Sequence, residues 1–141
     1  FYYNKSTDLK TLDSEVLDAL IQRAQEKPTP ETILVLWLYG GAMNRVPVSE
    51  TAFRGRNVSM LYSVDLVWDD PVDSERYIAW ARDYVKSLQP YSAGGLYVNF
   101  ASDPEAAQAA YGPNHQRLVE LKNKYDPHNL FRMNQNIKPT V

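Results

Sequence analysis

The 141-residue chain contains no cysteine. Disulfides, thiolate catalysis and cysteine-ligated metal sites are therefore excluded within it. Histidine occurs twice, at His115 and His128, and neither has a carboxylate at convincing ligand spacing, so no metal site is expected. No charge of one sign dominates. Fifteen Lys and Arg against 17 Asp and Glu give a net charge of −2, unlike the basic footprint of a nucleic-acid binder. No apolar run reaches about 18 residues, so no membrane span is indicated. Glycine is scarce, with six residues, and "YGGAM" sets Gly40 beside Gly41 without the spacing of a P-loop or a dinucleotide-binding turn. A Ser-His-Asp triad would have no nucleophile elbow to stand on. No signal peptide is visible, and Phe1 in first position points to a chain cut from something longer. Localisation stays open.

Aromatic residues are plentiful: ten Tyr, three Trp and four Phe. Such a set suits either a sheet-rich domain or the wall of a site for a planar ligand. The length suits one domain with a real core.

Two helices are clear. In "LDSEVLDALIQRAQEK" the residues Leu12, Val16, Leu17, Leu20, Ile21 and Ala24 recur at helical spacing behind a good starter, Asp13. In "DDPVDSERYIAWARDYVKSL" Pro71 lies near the start, and Tyr77, Ile78, Ala81, Tyr84, Val85 and Leu88 form one stripe. "TILVLWLYGG", from residue 32, reads as a strand buried on both faces. "SMLYSVDLVW" alternates: Met60, Tyr62, Val64, Leu66 and Trp68 share one face, and Ser63 and Asp65 the other. "LYVNF" reads as a third strand, with Tyr97 and Asn99 on one side and Val98 and Phe100 on the other. A short helix is expected after Asp103-Pro104, and another over "NHQRLVELKNKY", with Leu118, Leu121 and Tyr125 on one side. These elements predict an α+β fold, a mostly antiparallel sheet with helices packed on one face.

Three stretches invite a chemical reading. Arg45, Arg54 and Arg56 cluster in "NRVPVSETAFRGRN", either as a solvated loop with local ion pairs or as an anion clamp. The tail "FRMNQNIKP" puts Asn134, Gln135 and Asn136 in succession. Amides there could meet the edge of a heteroaromatic ligand or satisfy buried backbone. Tyr97 beside Asn99 is either a sheet tyrosine with a satisfied hydroxyl or part of a site.

"AAYGPNHQRLVELKNKYDPHNLFRMNQNIKP" resembles the C-terminal signature of the berberine-bridge-enzyme-like FAD-linked oxidoreductases, within the vanillyl-alcohol-oxidase-type flavoproteins. "GGAMNRVPVSETAFRGR" is similar to the family's Gly-Gly segment followed by Thr-Ala-Phe, and "GGLYVNF" to its Tyr-x-Asn strand. The resemblance covers about 100 residues in the family's order, roughly the last third of such an enzyme. It implies that residues 1–100 are the C-terminal half of a substrate domain, and that 101–141 return to a flavin-binding portion. It implies FAD as cofactor and a small molecule (an alcohol, sugar or secondary metabolite) as substrate. Tyr97 would then be the base while hydride passes to flavin N5, with Asp65 next in line. Asn99, Asn134 and Asn136 would face the flavin, and Trp37, Tyr39 and Ser63 the substrate. Gly55-Arg56 stands where many members have His-Arg, so that histidine's role is lost. The main FAD-binding fold is expected elsewhere in a longer parent, and this chain alone should not hold FAD tightly. Neither nucleic acid nor membrane is expected as partner. Against this stands a non-catalytic α+β module that self-associates through its aromatic sheet face.

Overall fold

The computed structural model describes residues 1–101 and 107–141 of the chain. A three-stranded antiparallel sheet runs β1 (Tyr2–Leu9), β3 (Met60–Val67), β2 (Ile33–Leu38), with β3 in the centre. Opposite residues such as Tyr3 and Leu66, Ser6 and Ser63, or Leu34 and Val64 fix the register. Helices α1 (Ser14–Gln25) and α3 (Ser74–Ser87) supply the second layer. The expected α+β fold, with helices on one sheet face, is the fold observed. No helix among the described residues is long and apolar enough to cross a membrane.

The core forms where the predicted stripes meet. Met60, Tyr62, Val64 and Leu66 from β3, with Leu9 from β1, pack on Val16 and Leu20 of α1 and on Tyr77, Ala81, Tyr84 and Val85 of α3. Asp13 caps α1 by accepting from the Val16 amide at 3.1 Å, as its place before the periodic run predicts. Asp70 accepts from the Val72 amide at 2.9 Å in the single turn, containing Pro71, that leads into α3. Inside the core, Tyr84 donates to the Leu20 carbonyl at 2.9 Å and accepts from the Tyr62 hydroxyl at 2.7 Å. Burial, then the Tyr84 hydroxyl, pushes the Tyr62 phenol well above the usual tyrosine range.

Three expectations are corrected. First, residues 96–100 are not a strand. Tyr97 is extended, but Val98–Phe100 form a 3₁₀ turn closed by the Phe100 amide on the Tyr97 carbonyl at 2.9 Å. The third strand is β1, whose polar residues on both faces hide its alternation. Secondly, β2 is not buried on both faces. Among the described residues of this chain it has one strand neighbour, β3, and Ile33 and Leu38 are 58% and 78% exposed. Thirdly, α5 (His115–Tyr125) buries Val119 and leaves Tyr125 exposed, because it packs on the short helix α4 (Ala107–Tyr111) outside the sheet layers. A four-residue helix, α2 (Ala42–Arg45), interrupts the loop after β2. The expected start at Asp103-Pro104 lies outside the described residues.

Beyond α5 the tail is tied down by side chains. Asp126 accepts from the Leu130 and Phe131 amides at 2.7 and 3.0 Å and pairs with Lys122. Those contacts hold its carboxyl below the usual range, Lys122 first, against an opposing contribution from burial. Asn123 holds Thr140 through both its amide nitrogen and its amide oxygen.

Replacing Tyr84 with Phe removes a donor from the Leu20 carbonyl and an acceptor from the Tyr62 hydroxyl, both in the core. The expected loss is about 1–3 kcal/mol of stability. Chemical denaturation of the full-length protein followed by Trp80 fluorescence, whose ring lies 5.3 Å from Tyr84, checks it.

Candidate functional site

Because α1 and α3 cover one face of the sheet, alternation turns the other set of side chains away from the core. That set comprises Tyr2, Asn4, Ser6 and Asp8 on β1, Leu61, Ser63 and Asp65 on β3, and Val35 and Trp37 on β2. A chain of hydrogen bonds crosses all three strands. The Trp37 indole donates to Ser63 Oγ at 3.3 Å, and Ser63 Oγ donates to Asp65 Oδ2 at 2.9 Å. Asn4 Nδ2 donates to Asp65 Oδ1 at 2.8 Å, and the Tyr2 hydroxyl donates to the same oxygen. Ser63 is wholly buried. Asp65 thus accepts three side-chain donors, and through Ser63 it sets the position of Trp37.

At the end of this face Asp8, Leu61 and Trp37 form one cross-strand row. Over that row closes an aromatic cavity of about 410 Å³, lined by Trp37, Tyr39, Met43, Phe53, Arg56, Leu61, Tyr97 and Phe100. The rings touch in sequence: Trp37 to Phe100 at 6.4 Å, Phe100 to Tyr97 at 5.3 Å, Tyr97 to Phe53 at 6.3 Å and Phe53 to Tyr39 at 6.0 Å. Phe100 therefore lies on the Tyr97 side, not opposite it as strand alternation predicts, because the 3₁₀ turn swings it round. Tyr97 and Asn99 do meet, with Asn99 Nδ2 donating to the Tyr97 hydroxyl oxygen at 2.8 Å. Burial, then the neighbouring Tyr97 and Asp8, raises the Tyr39 phenol above its ordinary value.

On the far side of this pair is a second, polar cavity of about 450 Å³, lined by Val98, Asn99, Ala101, Tyr111, Met133, Asn134 and Gln135. Asn134 has φ 56°, a left-handed conformation that asparagine tolerates, and its carbonyl accepts from the Asn136 amide at 2.9 Å. Gln135 Nε2 donates to the Ala101 carbonyl at 2.5 Å. Gln135 Oε1 and Asn136 Oδ1 are buried without a hydrogen-bond partner among the described residues, and Asn136 lines neither cavity.

Of the residues singled out in the sequence, Trp37, Tyr39 and Tyr97 share the aromatic cavity, and Asn99 and Asn134 share the amide cavity. Ser63 and Asp65 line neither; they act on the aromatic wall through Trp37. The arginine cluster divides: one member faces solvent, and two are held by backbone carbonyls. Arg45 is exposed. Arg56 donates to the Met43 carbonyl at 2.9 Å and to Thr51 Oγ1 at 2.8 Å, with its guanidinium 4.9 Å from the centre of the Phe53 ring. Arg54 Nη1 donates to the Gly94 and Ala109 carbonyls at 3.1 and 2.9 Å. The β1 residues, Asp8 above all, escape sequence reasoning; the only local signal is the aromatic and β-branched content of "YYNKST".

Asp8 is 4% exposed, and its Oδ1 accepts from Ser92 Oγ at 2.6 Å and from the Ala93 amide at 3.0 Å. Ser92 Oγ in turn accepts from the Gly94 amide at 2.9 Å and from Thr7 Oγ1 at 3.1 Å. A Cβ on Gly95 would lie 2.4 Å from Asp8 Oδ2 and 2.6 Å from Arg54 Nη1. The two opposite charges therefore converge on a place that only glycine leaves open.

The family model described as "Berberine and berberine like" matches residues 96–138. An uncharacterised FAD-linked oxidoreductase of Bacillus subtilis is 36% identical over 104 residues, covering 72% of this chain and 23% of that protein. The monolignol oxidoreductase AtBBE-like 13 of Arabidopsis thaliana is 31% identical over 156 aligned positions, covering 96% of this chain and 28% of that protein. The solved structure of wild-type Physcomitrella patens BBE-like 1 superposes with a TM-score of 0.88 at 26% identity, covering 99% of this chain and 31% of that one. The chain thus spans less than a third of the length of these relatives.

Gly95→Ala is expected to cost about 1–3 kcal/mol, because Asp8 is short and anchored and cannot yield. A lowered melting temperature of the full-length protein checks it.

Proposed function

We propose, on the premise that this chain is the C-terminal part of a berberine-bridge-like FAD-linked oxidoreductase, that it forms the substrate-side wall of that enzyme's active site, with Tyr97 as the base. The reaction is oxidation of an alcohol, sugar or related secondary metabolite; the relative named for monolignols supports the alcohol class. Residues 1–100 form half of the substrate domain, and 101–141 return to a flavin-binding portion outside this chain.

One observation carries this reading. The Tyr97–Asn99 hydrogen bond of 2.8 Å stands where an aromatic cavity and an amide-lined cavity adjoin. The aromatic side suits an apolar or ring-bearing substrate, which Trp37, Phe53 and Phe100 would shield from water. The amide side suits a heteroaromatic edge that presents both donors and acceptors. There Asn99, Asn134 and Gln135 supply both kinds of group, and Gln135 Oε1 has no partner among the described residues. Bound FAD would supply the two-electron acceptor, taking hydride at N5. Asn99, Asn134 and Asn136 would hold its edge, and most of its binding energy would come from the portion outside this chain.

The chain's own contribution to the chemistry is proton removal and orientation. The Tyr97 oxygen, as phenolate, takes the proton from the substrate hydroxyl and becomes the neutral phenol, leaving the charge on the substrate oxygen as hydride departs. Asn99, donating to the Tyr97 oxygen, stabilises the phenolate before that transfer. Arg56 is held on the same cavity by Met43, Thr51 and the Phe53 ring, and it places a fixed positive charge on that wall. Asp65, engaged by three donors, serves to position Trp37.

In the full-length protein, Tyr97→Phe is expected to leave flavin absorbance unchanged. Flavin reduction by a monolignol or an aldose should slow by about two orders of magnitude or more. Reduction at the unmutated rate would remove Tyr97 from the mechanism and send the search for the base to Asp65.

A further inference from the structure

We infer that Asp8 and Ser92 form a positioning device for Tyr97, an inference that rests on Tyr97 being the base. The turn that precedes Tyr97 has no ladder to hold it. Among the described residues its backbone reaches β1 through the Asp8 amide on the Gly95 carbonyl at 3.5 Å, barely a bond, and just beyond β1 the Lys10 amide meets the Tyr91 carbonyl at 3.0 Å. Side chains do the remaining work. Asp8 Oδ1 draws in both Ser92 Oγ and the Ala93 amide, while Ser92 Oγ accepts from the Gly94 amide within its own turn. Arg54 takes the Gly94 carbonyl from the opposite side and ties it to Ala109 of α4.

Asp8 has no part in the aromatic wall and does not line the aromatic or the amide cavity. It does line a third cavity of about 280 Å³ behind the aromatic one, together with Tyr39, Phe53, Arg54 and Tyr97. Tyr97 is thus held from behind. A carboxylate buried to this degree is costly unless its partners are fixed. The partners it has are the two groups that begin the turn leading to Tyr97. A shift of the turn by about 1 Å would carry the phenol out of reach of the substrate proton.

The test uses the full-length protein with 3-fluorotyrosine at position 97 and reads its ¹⁹F resonance without substrate. The unmutated protein is expected to give one narrow line. Ser92→Ala and Asp8→Asn should broaden, shift or split it while flavin absorbance is kept. The rate of flavin reduction by a monolignol or an aldose should fall about tenfold, the effect of one lost buried hydrogen bond, with KM changed by less than about twofold. In a Tyr97→Phe background, adding Ser92→Ala should slow reduction no further. An unchanged ¹⁹F line in both variants overturns the proposal. So does a slowing by Ser92→Ala that persists undiminished in the Tyr97→Phe background, since that marks a general structural effect. If Tyr97→Phe by itself leaves reduction unaffected, the base assignment falls and this inference with it, whatever the ¹⁹F line does. Ser92→Ala deletes a single hydroxyl, so the comparison stands even where Asp8→Asn does not fold.

Discussion

A buried carboxylate on an N-terminal strand organises the site. Asp8 occupies the last row but one of β1, at 4% exposure. An ionised group there must be met by donors, or it destabilises the fold by several kcal/mol. The donors are Ser92 Oγ and the Ala93 amide, 84 and 85 residues further along the chain, and the Arg54 guanidinium converges on the same spot across Gly95. Satisfying that one group closes the turn at 92–95 onto the sheet. The turn then brings Tyr97, Asn99 and Phe100 over the row formed by Asp8, Leu61 and Trp37. The same requirement explains a glycine: with Gly94 at φ +81° and Gly95 crowded by two charged groups, neither position suits a side chain.

The two faces of the sheet divide the work. One is apolar and carries the helices, so the hydrophobic effect locks β3 in register against both neighbours. The other is freed for polar chemistry because nothing in the core depends on it. Hydrogen bonds from Trp37 through Ser63 to Asp65, and from Asn4 and Tyr2 to the same carboxylate, keep that face ordered without apolar packing. A polar network whose members are partnered rigidifies, and a rigid platform is what a site for a planar ligand requires.

Helices α1 and α3 were legible because their signals are local. Each carries an apolar stripe at 3.6-residue spacing, and acidic caps lie a few residues from their donors. Strand β3 was legible from strict alternation over eight residues. Strand β1 was not, since Asn4, Ser6 and Asp8 on one side and Lys5 and Thr7 on the other give it no apolar phase. Its polar residues are explained only by partners far away in sequence. The exposure of β2 was unreadable for a similar reason. An apolar strand looks the same in sequence whether one neighbour flanks it or two.

The sequence by itself determined the class of fold, the two principal helices and the central strand, all of which follow from side-chain period and short-range hydrogen bonding. It set Tyr97 beside Asn99 too, but through a strand period that residues 96–100 do not adopt. Only the tertiary structure decided that this pair sits on a 3₁₀ turn rather than a strand, and that Phe100 joins Tyr97 in an aromatic wall. It alone decided that Arg54 and Arg56 hold backbone carbonyls, and that Asp8 is the anchor. Those outcomes depend on contacts between residues dozens of positions apart. Which of many possible partners satisfies a buried polar group is settled by packing of the whole chain, not by any local pattern.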